Sequence, residues 1–352
     1  MTKTEMQEIK IGNRIIGKGH PTYIIAEMSA NHAGSLERAK EIIRAAKKAG
    51  ADCLKIQTYT PDTITMDCDN EYFQIGEGTW KGENLYSLYG KAYTPWEWQG
   101  ELSRTAKEVG IDFLSTPFDS TAVDFLESID MQFYKIASFE IVDLPLIRYV
   151  ARTGKPIILS TGMASDEEIQ EAVDAIRGEG NEQLVLLKCS SAYPADPKQM
   201  NLSTIPDLAS KFGVPTGLSD HSMGHLSAVM SVALGGCVIE KHFCLGREIE
   251  NPDASFSMTP EEFAEMVREV RDAEAALGRP HYGPMEMEMS NYRFRRSVFV
   301  SKDLKAGDIL SKDNLRIIRP ADGMKPKYYD EVLGKKVKCD IPRGTPLREE
   351  YL

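Results

Sequence analysis

The chain has 352 residues, long enough for one large domain and a small one, and its 42% hydrophobic and 27% charged composition is that of a folded, water-facing protein. A formal charge of −11 argues against nucleic acid as a partner, because phosphate-backbone binding needs a basic face, but a few local Lys and Arg still allow a small anionic substrate. No run approaches the roughly 18 apolar residues of a membrane span, the start MTKTEMQEIKIG has no apolar leader core, and the six cysteines show no CxxC pairing, so the expectation is reduced thiols, no membrane and a cytoplasmic protein.

In chain order, IKIGNRIIGKG (9–19) reads as a hairpin. Short apolar runs then alternate with helical patterns. The runs are YIIAEMS (23–29), CLKIQT (53–58), DFLSTPF (112–118), FYKIAS (133–138), PIILSTG (156–162), LVLLKCS (184–190), PTGLSD (215–220) and CVIEKHF (237–243). Among the helices, SLERAKEIIRAAKKAG carries apolar residues at helical spacing between a Ser cap and a closing Gly. Ser165 and Glu168 form a capping box before the helix of SDEEIQEAVDAIRGEG. Eight strand–helix units predict an α/β protein of the (β/α)8 TIM-barrel class rather than a doubly wound open sheet; no GxGxxG follows the first strand. The segment 60–96 is a long connection rich in Asp, Gly, Tyr and Trp, of the kind that shapes a site or wraps a partner. From about 280 the texture changes to short strands and turns. The expected division is a barrel domain over 1–282, a linker over 283–294 and a small β-rich module over 295–352.

Barrel enzymes keep their chemistry at the C-terminal strand ends, and nearly every run here ends in polar residues. Lys55 and Lys135 interrupt apolar strands. Each either snorkels outward or points inward to hold an anion or form a Schiff base. Gln57 shares a face with Lys55, and Ser115, Thr116, Ser138 and Ser160 add neutral donors, a set that suits a phosphate or carboxylate. Glu27 and Glu140 are either structural carboxylates or a general acid and base. His32 lies in the first loop. Ser219 and His221 share a parity on the seventh strand, as do Glu240 and His242 on the eighth. Two His at one height on adjacent strands are either ligands of one divalent cation or polar rim groups.

The motifs IIAEMSANHAGS, KIQTYTPDT, YKIASFEIVD, STGMAS, KCSSAYP, GLSDHS, IEKHF and NPDASFSMTP, in that order, resemble the sialic acid synthase family over nearly the whole chain. QTYTPDTITMD, YFQI, AYTPWEW and RFRRSVFV look most like the branch of that family that makes pseudaminic acid, with N-acetylneuraminate and legionaminate synthases as the alternatives. The resemblance implies a transferase that condenses phosphoenolpyruvate with an N-acylated amino sugar. It also implies that the C-terminal module is an antifreeze-like (SAF, β-clip) domain. By motif, His221 and His242 match the metal ligands, usually for Mn²⁺, with Mg²⁺ or Co²⁺ as alternatives. Lys55, Thr116, Lys135, Ser138, Ser160 and Ser219 match the phosphoenolpyruvate shell, and Ser191 stands where sialic acid synthases carry Asn. Glu27, Gln57, Glu140, Tyr193 and Asp253 match positions near the sugar or metal. Arg319 matches an arginine projected from the antifreeze-like domain into a partner's barrel, which implies a domain-swapped homodimer.

Overall fold

The computed structural model describes residues 8–12 and 14–352. The stretch 1–7, on which part of the leader reading rests, lies outside them. The chain divides into two compact units, the second beginning at Arg279.

The first unit opens with an antiparallel hairpin, β1 (Ile9–Ile11) and β2 (Arg14–Ile16). Eight parallel strands follow: β3 (Tyr23–Glu27), β4 (Cys53–Thr58), β5 (Asp112–Pro117), β6 (Tyr134–Ile136), β7 (Ile157–Ser160), β8 (Leu184–Cys189), β9 (Thr216–Asp220) and β10 (Val238–His242). They close into a barrel because β10 pairs with β3, His242 opposite Glu27. All eight expected runs are strands, and the barrel is the architecture found. The predicted caps form as well: Ser35 Oγ accepts from Arg38 N, and Ser165 and Glu168 cap the helix Asp166–Gly178 reciprocally.

Side-chain parity sorts the barrel into layers. Outward residues such as Ile24, Ala26, Leu54 and Ile56 pack on the surrounding helices, whose buried positions recur with helical period, as in Ala39, Ile42, Ile43 and Ala46. Inward residues change character along each strand. At the N-terminal end Tyr23, Ile25, Cys53, Leu114, Phe133, Ile158, Val185, Leu187 and Val238 form one apolar plug, sealed by Ile9, Ile11 and Ile16 of the hairpin. One inward step further on, the same strands present Glu27, Lys55, Thr116, Lys135, Ser160, Cys189, Ser219 and Glu240. The plug shuts out water from below, so these polar groups stand on a dry floor. Gly217 permits the closure between β9 and β10: a Cβ there would lie 2.1 Å from the Val238 carbonyl oxygen.

The second unit holds the antiparallel pair β11 (Ser297–Val300) and β12 (Leu315–Ile318), with its own core of Val298, Val300, Leu310, Leu315, Val337 and Leu347. Two short helical turns, Glu286–Glu288 and Met289–Tyr292, occupy the stretch expected as linker. No helix among the described residues is long and apolar enough to cross a membrane, and all six cysteines are free.

Candidate active site

A cavity of about 470 Å³ opens above the polar layer. It brings together Lys55, Gln57, Lys135, Ser138, Glu140, Ser160, Tyr193, Ser219, His221, His242 and Asp253, drawn from six strands and their following loops. Both lysines point inward and are 4% and 2% exposed, which removes the snorkelling alternative. Their partner is Glu240. Its Oε1 lies 2.8 Å from Lys55 Nζ and 3.1 Å from Lys135 Nζ, and accepts from Ser219 Oγ at 3.2 Å. Glu27 Oε2 sits 3.1 Å from Lys55 Nζ, and Glu27 Oε1 accepts from Gln57 Nε2 at 3.1 Å.

The electrostatics follow from this sharing. Burial alone would raise Glu240, but the Lys135 and Lys55 ammonium groups outweigh it and hold the carboxylate well below its ordinary range. Burial likewise works to lower Lys55; Glu240 and Glu27 together more than offset it, so this ammonium is held above its usual value. Lys135 shares Glu240 with Lys55, burial wins, and its pKa falls. Glu27 and Glu140 are each pushed up to about 7, chiefly by burial.

Several polar atoms here are buried with no partner among the described residues: Thr116 Oγ1, Ser160 Oγ, Glu140 Oε2, Glu240 Oε2 and His242 Nδ1. Buried polar atoms are ordinarily hydrogen-bonded, so a cluster of orphans marks a place built for a ligand. Two free hydroxyls near two ammonium groups fit a small anion. Ser138 Oγ accepts from Gly162 N at 3.0 Å. Gly162 is required there, because a Cβ would meet Ser191 Oγ at 2.2 Å and Ser138 Oγ at 2.7 Å.

The two histidines stand side by side with ring centroids 5.3 Å apart. His221 Nδ1 lies 3.0 Å from the Ser190 carbonyl oxygen and donates to it, which fixes the ring so that, in the neutral imidazole, Nε2 is the nitrogen with the free lone pair. Burial, with His221 and Lys55 nearby, holds His242 well below its usual pKa and therefore neutral. Asp253 Oδ2 is 3.9 Å from His242 Nδ1 and accepts from Ala30 N. Burial alone would lower His221, but the Cys189 thiol, the Ser190 carbonyl and Glu240 outweigh it and raise this histidine above its usual pKa. Two adjacent imidazoles, one held neutral and carrying an orphaned nitrogen, are a donor set that fits a divalent cation, which would displace any proton on His221 and leave its other positions to water or substrate. Among the described residues no group of three His, Cys, Asp or Glu is poised around one point. The Tyr193 ring lies tilted against His221 at 4.4 Å and Phe256 packs edge-on against His242 at 5.0 Å, walling the pair.

Not every expected residue lines the cavity. Glu27 sits behind Gln57, Thr116 is buried below, and Ser191 lies 3.7 Å from Cys189 Sγ, off the wall. Arg319 is exposed, just past β12 in the second unit. His225 precedes the helix Leu226–Ala233 and pairs with Glu269 at 3.0 Å, outside the cavity. His32 is buried against Trp98, and burial pushes it down to about 4. The residue that sequence reasoning left without a role is Glu240. Its signal was present: it shares inward parity with His242, one pleat below, at the height of the lysines.

The chain matches the model of the NeuB family over residues 42–282 and that of the SAF domain over residues 295–352. The chain belongs to the NeuB family. Relatives match it over nearly its whole length. It is 48% identical to the pseudaminic acid synthase of Campylobacter jejuni (strain 81-176), over 97% of this chain and 99% of the relative. It is 44% identical to the pseudaminic acid synthase of Helicobacter pylori, over 93% and 96%. The crystal structure of N-acetylneuraminic acid synthetase from Leptospira borgpetersenii, in complex with citrate, superposes with a TM-score of 0.73 at 32% identity, over 81% of this chain and 95% of that one.

Proposed function

We propose that this protein is a pseudaminic acid synthase. It condenses phosphoenolpyruvate with 2,4-diacetamido-2,4,6-trideoxy-altrose and water to give pseudaminate and phosphate. The observation that carries the reaction class is the pairing of Lys55 and Lys135, buried among free hydroxyls, with the two adjacent histidines at the same rim. The choice of sugar is supported by the 48% and 44% identity to pseudaminic acid synthases.

The residues divide the work. Lys55, Lys135 and the hydroxyls of Ser138, Ser160 and Ser219 hold the phosphate and carboxylate, with Thr116 beneath them; Ser191 borders this shell through Gly162. Gln57, Tyr193 and Asp253 face the sugar. Phosphoenolpyruvate C3 bonds to the aldehyde carbon of the open-chain sugar, water adds at C2, and the C2–O bond to phosphate breaks. Fixing two reactants on preorganised donors removes much of the entropic barrier. His221 and His242 would hold a divalent cation, Mn²⁺ by preference, which supplies Lewis-acid stabilisation of negative charge on oxygen. Burial raises both Glu27 and Glu140 toward neutral pH, the range in which a carboxyl both takes and gives a proton. A homodimer in which Arg319 serves the partner's barrel is part of this reading.

Mass spectrometry of products from phosphoenolpyruvate, Mn²⁺ and each of three sugars tests it. The diacetamido trideoxy-altrose should give pseudaminate with stoichiometric phosphate. Turnover of N-acetylmannosamine or of the legionaminate precursor in its place would overturn the choice of sugar.

A further inference from the structure

The cavity has two unlike halves. Its floor is ionic and comes from the strands. Its upper wall is apolar and comes mostly from one connection, the chain between β4 and β5, which contributes Ile64, Ile75, Leu85, Leu88 and Tyr89, with Phe118 following β5. This wall is held in place. Tyr59 packs edge-on against Tyr89 at 5.6 Å and Phe118 at 5.1 Å. Thr79 Oγ1 donates to the Tyr193 carbonyl at 2.5 Å, and Trp80 Nε1 donates to the Pro252 carbonyl at 3.0 Å, pinning the connection across the cavity mouth.

We propose that this wall reads the C6 methyl of the acceptor sugar and so selects a 6-deoxy sugar over its 6-hydroxy counterpart. The inference rests on the synthase reading above. In that reaction C1 of the sugar must meet phosphoenolpyruvate on the ionic floor. The far end of the sugar, C6, then lies furthest from the strands, against the connection. A methyl there gains contact with Ile64, Ile75 and Leu85. A hydroxymethyl there must shed its water opposite Ile64, Ile75 and Leu85, whose side chains offer no hydrogen bond. The size of the effect is bounded, because an apolar pocket rejects a ligand that merely adds a hydroxyl by only about 10²-fold.

The test is steady-state kcat/KM for the 2,4-diacetamido-2,4,6-trideoxy sugar and its 6-hydroxy counterpart, with phosphoenolpyruvate and Mn²⁺, in wild type, Ile64→Thr and Ile75→Thr. Both positions are only partly buried, so the fold should survive, and melting temperatures check this. Wild type should favour the 6-deoxy sugar by about 10²-fold, and the Thr variants should narrow that to about tenfold through sugar KM, leaving KM for phosphoenolpyruvate unchanged. Equal use of both sugars by wild type, or an unchanged ratio in both variants, overturns the proposal and leaves the synthase reading standing. No product from either sugar overturns the pseudaminic acid synthase reading itself.

Discussion

Glu240 and Lys55 form an ion pair of 2.8 Å inside the barrel, with both side chains about 5% exposed. The same Glu240 oxygen holds Lys135, so one carboxylate organises both cations of the proposed anion site. Removing its charge strands two ammonium groups with Glu27 as their remaining close carboxylate. Glu240→Gln should therefore cost about 3–5 kcal/mol of stability in the ligand-free protein. Phosphoenolpyruvate would restore negative charge to the lysines, so its thermal upshift should be larger in the variant than in wild type. A wild-type melting temperature with an equal ligand shift would refute this role.

The pH dependence of Glu140 has a defined sign. Its folded pKa is raised, chiefly by burial, from 4.5 to about 7, so the folded state binds this proton more tightly than the unfolded chain does. That contribution is fully present below pH 4.5 and is lost as pH climbs to about 7. Above 7 the ionised, buried carboxylate costs stability. Glu140→Gln should be more stable than wild type at pH 8, by at most about 3 kcal/mol, with no gap at pH 4. Denaturant melts at both values decide; an identical difference at each would contradict the assignment.

The histidine pair makes a prediction that does not depend on turnover. Titration calorimetry with Mn²⁺ should show binding to wild type and none to His221→Ala or His242→Ala, with circular dichroism unchanged. Exhaustive chelation should abolish phosphate release, and added Mn²⁺ should restore it. Retained Mn²⁺ affinity in both variants would remove these residues as ligands.

Gly162 leaves room for the Ser138 and Ser191 hydroxyls. A Cβ at 2.7 Å from the Ser138 hydroxyl and 2.2 Å from that of Ser191 must push both aside. Gly162→Ala should raise KM for phosphoenolpyruvate about tenfold or more, the loss of roughly one charge-assisted hydrogen bond, and leave the sugar KM near wild type. An unaltered phosphoenolpyruvate KM would show that the serines do not touch it.

The proposed exchange of Arg319 between subunits is open to complementation. Arg319→Ala and Lys135→Ala should each be inactive alone. Co-expressed, they should recover up to about a quarter of wild-type activity, because half the dimers are mixed and each carries one intact site. No recovery in verified mixed dimers would place Arg319 outside the partner's site.

The sequence by itself determined the barrel and most of the candidate site. Eight short apolar runs, each followed by a helical pattern, leave a closed parallel sheet as the economical way to bury both strand faces. Side-chain parity placed Lys55 with Gln57 and Glu240 with His242. Parity says which residues share a face, but not which face is inside or what stands across the barrel. Whether Lys55 snorkels or points inward became decidable only when closure set β4, β6, β9 and β10 around one axis and brought Glu240 to both lysines. Positions 55, 135 and 240 are too far apart in sequence for any local pattern to pair them. The apolar wall was hidden for the same reason. Ile64 and Ile75 lie far apart in an irregular stretch, and although Leu85, Leu88 and Tyr89 recur at helical spacing on the helix Leu85–Ala92, local pattern does not say that this face meets the cavity; packing of Tyr59 on Tyr89 and Phe118 does.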